Sequence, residues 1–248
     1  MSAPVLALIG GTGLYHLAGL EAVERHLVDT PYGFASDAVI AGTLAGRPVL
    51  FLARHGESHT LAPHEINYRA NLWALRELGA RRVLAINSVG GIGAAMAPQV
   101  LAVPEQIIDY TWGRAHTYSG AGAAVEHVDM GQPYDAALRA AVLAAAAASG
   151  VAMVDGGTYG ATQGPRLETA AEIRRLARDG CDLVGMTGMP EAALARELGL
   201  SYACVAVVAN WAAGCGDDAP ITLDDVLANM ATATARLPAM LRTLVAAL

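Results

Sequence analysis

Cysteine is scarce in this chain and its three copies, Cys181, Cys204 and Cys215, are scattered with no CxxC pair. That excludes a disulfide framework and fits a reducing, cytoplasmic setting. Aromatic residues make up 5% against 54% hydrophobic residues in all, so the core must be built mainly from Ala, Val, Leu and Ile. Basic residues are in deficit, with 16 Lys and Arg against 23 Asp and Glu and a net charge of −7. A nucleic-acid surface needs the opposite balance, and an anionic ligand would need a local Arg site. Long apolar runs are also missing. The longest, residues 140–154, is mostly Ala, includes Ser149 and Gly150, and falls short of the ~18 residues of a membrane span. The opening MSAPVLALIGG has no basic segment and leads into a Gly turn, so a first strand is expected there rather than a signal peptide. No linker, charge block or internal repeat divides the 248 residues, and one domain over 1–248 is expected.

What is present alternates. Apolar runs at 5–9, 39–44, 49–53, 83–87, 100–103, 183–186 and 202–208 read as strands, several apolar at every position, as strands covered on both faces are. Helical patterns cover 67–78, 136–148, 169–177, 191–198 and a long stretch from Leu223. Thr169-Ala-Ala-Glu172 is a capping box, and Gly79, Gly180 and Gly199 follow three helix ends. The expected fold is α/β, with a central mixed, largely buried sheet flanked by helices.

Three polar, Gly-containing turns are expected directly after buried strands: Gly10–Gly13, Asn87–Gly91 and Met186–Gly188. The first is neither a Walker loop nor a dinucleotide fingerprint, because no Lys-Ser/Thr follows and the third Gly is missing. Freed backbone N–H groups there suit an anion, and Thr12, Ser88 and Thr187 add hydroxyls. Arg54 adds a two-pronged charged donor. Arg54-His55-Gly56-Glu57 also has the form of a histidine phosphatase motif, with His55 as phosphoryl acceptor. In that family, however, the motif ends the first strand, and a second His in a later Gly-flanked turn is needed; neither His116 nor His127 has that setting. His55, His59 and His64 have no Asp or Cys clustered with them, and no metal site is expected.

Seven ordered segments carry a more specific resemblance: IGGTGL, ARHGESHT, NYRANLWAL, NSVGGI, GPRLETAAE, VGMTGMPEAALARELGL and VVAN. Over nearly its whole length the chain resembles the purine nucleoside phosphorylase family, most closely the methylthioadenosine phosphorylase branch. The resemblance implies phosphorolysis of a nucleoside in a homotrimer, with inorganic phosphate as a substrate and no cofactor. It places Thr12, Arg54, His55, Ser88 and Thr187 on the phosphate with Asn87 adjacent, and Met186 and His59 at the ribose. His127 would reach a neighbouring subunit's 5′ pocket.

The base end departs from that branch. Asn210 and Ala212 stand where the branch has two Asp residues, and Glu168, after Leu167, stands where it has a small residue. An amide can accept from N7–H and donate to a 6-oxo group, and a carboxylate pairs with N1–H of a 6-oxopurine. Leu223 and Val226 open the last helical stretch, where the branch places apolar residues against a methylthio group. An oxopurine reader joined to an apolar 5′ pocket implies 5′-methylthioinosine as substrate. A methylthioadenosine phosphorylase with an unusual base pocket and a general inosine/guanosine phosphorylase stay open.

Overall fold

A computed structural model describes residues 5–120, 125–216 and 220–248. Its spine is β5 (Ala80–Gly91) and β11 (Ser201–Trp211), which run parallel side by side. Around them β1 (Val5–Gly10), β2 (Glu21–His26), β3 (Val39–Leu44), β4 (Arg47–Ala53), β6 (Leu101–Val103), β7 (Gln106–Asp109), β8 (Val154–Asp155), β9 (Thr158–Ala161) and β10 (Leu183–Gly185) complete a mixed sheet of eleven strands.

Successive residues of the inner strands feed two cores. On β11, Tyr202, Cys204, Ala206 and Val208 pack into one layer with α1 (Tyr68–Glu77) and α4 (Gly188–Glu197). Ala203, Val205, Val207 and Ala209 pack into the other with α2 (Ala136–Ala148), α5 (Leu223–Thr234) and α6 (Leu237–Ala247). This two-sided covering is why those runs are apolar at every position. α3 (Ala170–Arg178) packs Ile173 and Leu176 into a third, smaller cluster with Val184 and Ala212.

Local signals set the helix ends. Asn67 caps α1 by accepting from the Ala70 N–H at 3.1 Å, and Leu72 and Leu75, three apart, are fully buried. Each such Leu contributes roughly 2 kcal/mol of burial. Gly79 ends the helix at φ +97°, a conformation costly to other residues. Thr169 and Glu172 form the expected reciprocal capping box.

Three expectations on the elements change. The stretch from Leu223 is two helices, broken at 235–236, because the ring of Pro238 cannot continue a helix begun at Leu223. The Asn87–Gly91 segment is no turn but the far half of β5. Edge or short strands β2, β7, β8 and β9 escape the pattern; all of β2 except His26 is exposed, so no apolar alternation marks it. Among the described residues no helix is long and apolar enough to cross a membrane.

Candidate active site

The site comes from a split in the sheet. β11 occupies one edge of β5 along most of its length, while the other edge is shared. β1 pairs there in parallel as far as Ile9 with Ala85, and β10 pairs antiparallel at Gly90 and Gly91. Residues 86–89 therefore have no strand neighbour on that edge among the described residues, and the carboxyl ends of β1 and β10 point into the gap from opposite directions. Loops leaving the two strand ends bring Thr12 and Thr187 beside Ser88, which is why three sequence-distant segments meet. Strand ends at such a division are where α/β sheets bind ligands. A cavity of about 520 Å³ opens here, within the range of small-molecule sites.

Arg54 follows β4, and its N–H bonds the Gly10 carbonyl at 2.9 Å. Its side chain is fully buried. Nε donates to Glu191 Oε2 at 2.8 Å and Nη2 to Glu191 Oε1 at 2.9 Å. Nη2 also reaches Asn87 Oδ1 at 3.0 Å, and Nη1 the Ile86 carbonyl at 3.2 Å. Of five guanidinium hydrogens, one on Nη1 remains uncommitted. The fork expected to grip an external anion instead grips an internal carboxylate. Burial disfavours the charged guanidinium, but the charge and hydrogen bonds of Glu191 outweigh it, and Arg54 holds its proton more tightly than a free arginine. Nη1 lies under the Gly10–Gly13 turn, where a Cβ on Gly11 would stand 3.0 Å from it and 2.8 Å from the Ile86 carbonyl. Only Gly fits there.

Glu191 is the residue that sequence reasoning missed, because an acidic residue at the start of a helical pattern has an ordinary structural role. It is fully buried in the first turn of α4 and accepts a third hydrogen bond from the Tyr202 hydroxyl at 2.8 Å. Asn87 does not line the cavity. It sits behind the wall, joining Arg54 to Thr187 Oγ1, to which its Nδ2 donates at 3.1 Å.

His55 and His59 line the cavity on a loop rather than a helix, with ring centroids 4.6 Å apart and His59 at φ +51°. His64 is exposed and stands apart. His55 Nδ1 lies 2.8 Å from the Leu61 carbonyl, which can only accept, so Nδ1 carries the proton. Burial lowers the pKa of His55 to about 4; the Leu61 bond opposes this, and the neighbouring Arg54 and His59 add to it. Burial also lowers that of His59, whose Nδ1 meets the Tyr15 hydroxyl at 3.1 Å. In ligand-free protein, NMR titration of His55 should show no protonation between pH 8 and about pH 5. Its depressed pKa makes the neutral imidazole a source of stability that is complete above the ordinary value of 6.5 and is lost as pH falls toward 4. A midpoint for His55 near 6.5 would contradict this.

Farther along the cavity stand Asn210, Ala212, Leu167 and Glu168. Asn210 follows a bulge in β11, where Val208 pairs with Val89 and Asn210 with Gly90, leaving Ala209 extra. The bulge re-aims the side chain, and Asn229 of α5 holds the Ala209 carbonyl at 2.9 Å. Asn210 Nδ2 donates to the Trp211 carbonyl at 2.7 Å, which sets the orientation of the amide. Glu168 Oε1 receives the Thr162 hydroxyl at 2.5 Å, so its carboxylate is held rather than free in solvent. Met186 also lines the cavity, and Leu223, Val226 and Ile221 give it apolar lining, with Leu223 at the exposed rim. His127 is exposed and does not reach the cavity of its own chain.

The sequence matches the family model of the phosphorylase superfamily over residues 5–246. The chain belongs to this superfamily. Among its relatives, a probable S-methyl-5′-thioinosine phosphorylase of Xanthomonas campestris is 61% identical over 95% of both chains. A probable 6-oxopurine nucleoside phosphorylase of Thermococcus kodakarensis is 46% identical over 85% of this chain and 80% of its own. The methylthioadenosine phosphorylase of Schistosoma mansoni, solved with adenine, superposes with a TM-score of 0.94 at 30% identity, covering 99% of this chain and 92% of its own. In this phosphorylase Arg54-His55-Gly56 follows the fourth strand rather than the first, so the histidine phosphatase reading falls. No group of three or more His, Cys, Asp or Glu that could hold a metal ion occurs among the described residues.

Proposed function

We propose that this phosphorylase cleaves S-methyl-5′-thioinosine with inorganic phosphate, giving hypoxanthine and S-methyl-5-thioribose 1-phosphate. One observation carries the reading: a single cavity is lined by Asn210 and Glu168, by the apolar Leu223 and Val226, and by the hydroxyls and imidazoles of Thr12, Ser88, Thr187, His55 and His59. The name of the 61% identical relative agrees.

Thr12, Ser88, Thr187 and His55 hold the phosphate, with Arg54 behind them and Asn87 as their brace. Met186 and His59 border the ribose. A phosphate oxygen forms the new bond to C1′ as the C1′–N9 bond breaks, and the anion offsets the positive charge developing on the sugar ring. The departing purine gains electrons at N9 and N7. Asn210 Oδ1 accepts from N7–H and so stabilises the protonated leaving group. Glu168 pairs with N1–H, while Leu167 and Ala212 border the base. The reaction balances with monohydrogen phosphate, since the base gains one proton and the sugar phosphate leaves as a dianion. No metal or organic cofactor takes part. We further propose one domain, a cytoplasmic location and a homotrimer, in which His127 would approach a neighbouring copy's 5′ pocket.

Phosphate-dependent base release from methylthioinosine, methylthioadenosine, inosine and adenosine, compared under one condition, tests this. Methylthioinosine should lead by roughly tenfold or more in kcat/KM. A lead for methylthioadenosine would overturn the roles of Asn210 and Glu168, and equal rates with inosine would overturn the apolar pocket.

A further inference from the structure

The cavity beside Thr12, Ser88 and Thr187 is poor in positive charge for an anion site. Arg54 is turned to Glu191 at 2.8 and 2.9 Å, and only one of its hydrogens is uncommitted. His55 is 7% exposed, and its Nδ1 hydrogen is directed at the Leu61 carbonyl. Its Nε2 has no protein partner among the described residues and is left as a bare lone pair on a cavity-lining ring.

We propose that this lone pair makes the oxyanion subsite selective for tetrahedral anions that carry a proton, hydrogen phosphate and hydrogen arsenate, against sulfate, which carries none at the same pH. The proposal rests on reading this end of the cavity as the phosphate site. A P–O–H group donates to Nε2 and keeps its proton. A sulfate oxygen brings a second lone pair to the same place, and the two repel unless the imidazole first takes a proton from solvent. That protonation is resisted by the burial of the ring, by Arg54 next to it and by His59 at 4.6 Å, itself bonded to Tyr15. The carboxylates that could offset these groups have other partners: Glu191 holds Arg54, and Glu57, two residues from His55, faces Arg25 and His16. Backbone N–H groups and hydroxyls serve both anions alike, so His55 supplies the difference.

The test uses the intact protein. Phosphate-dependent turnover is measured first, then sulfate as a competitive inhibitor at neutral pH, with calorimetry of sulfate binding in two buffers of different ionisation enthalpy. The sulfate inhibition constant should exceed the phosphate KM by roughly tenfold or more, and sulfate binding should take up a proton. Arsenate should replace phosphate. In His55→Gln, whose amide can turn its NH2 toward sulfate, the gap should narrow to about threefold. A wild-type gap below tenfold, or sulfate binding without proton uptake, would overturn the proposal while the phosphorolysis stands. Absence of phosphate-dependent turnover would overturn both. If His55→Gln does not fold, the wild-type measurements decide alone.

Discussion

Glu191→Ala should lower the stability of this protein by about 3–5 kcal/mol, the range for removing one member of a buried ion pair. Glu191 and Arg54 are both fully buried, and the carboxylate takes two guanidinium bonds and the Tyr202 hydroxyl. Without it, Arg54 keeps a charge with no counterion, and the remaining acceptors, Asn87 Oδ1 and the Ile86 carbonyl, are neutral. The loss is a large part of the ~5–15 kcal/mol that separates folded from unfolded chains. For a chain of this size it corresponds to roughly 10 °C in Tm. Glu191→Gln keeps the shape and one acceptor, so it should fall between wild type and Ala. The mutation should also raise the KM for phosphate, since the guanidinium braces Asn87 and through it Thr187. Urea unfolding with a loss below about 1 kcal/mol would mean that Arg54 finds another partner or gives up its burial.

Asn210→Asp should move the ratio of kcat/KM for adenine over hypoxanthine nucleosides toward adenine by roughly tenfold or more. The amide is set by the bond from Nδ2 to the Trp211 carbonyl. A carboxylate cannot donate there, and repulsion from that carbonyl turns it toward the cavity, where it accepts from an adenine amino group and from N7–H. The shift will be partial, because Glu168 remains, held by Thr162 at 2.5 Å, and opposes the N1 lone pair of adenine. Such a mismatch costs ~2–3 kcal/mol where the base is buried on binding. Adding Glu168→Gln, whose amide can donate to N1, should complete the reversal. A ratio unchanged in Asn210→Asp would remove Asn210 from base recognition.

Periodicity revealed the inner strands and the helices because both faces of the sheet are covered, and continuous apolar runs such as Val83–Ile86 and Tyr202–Val208 have no other economical reading. It failed at the edges. β2 carries Glu21, Glu24, Arg25 and His26 and buries almost nothing, so its pairing with β3 leaves no apolar trace. Pro238 marks the break between α5 and α6, although the composition around it favours helix throughout. In the cavity, residue types with few structural uses stand out: Thr12 and Thr187 just past strand ends, Ser88 within β5, and Asn210 near the end of an otherwise apolar strand. Glu191 does not, since an acidic residue in the first turn of a helix ordinarily answers the helix dipole.

By itself the sequence determined the α/β class, the order of the inner elements, the cap at Thr169, and polar residues such as Thr12, Thr187 and Asn210 that line one cavity. Those features are local: each follows from side-chain volume, hydrogen-bonding capacity or backbone freedom within a few residues. Only the tertiary structure decided that β1 and β10 share one edge of β5 and leave residues 86–89 without a strand neighbour on that edge among the described residues. It alone decided that the Arg54 fork closes on Glu191, 137 residues away, and that His55 presents a lone pair rather than a proton. An ion pair or a tautomer is set by what lies opposite in space, and no spacing along the chain encodes that.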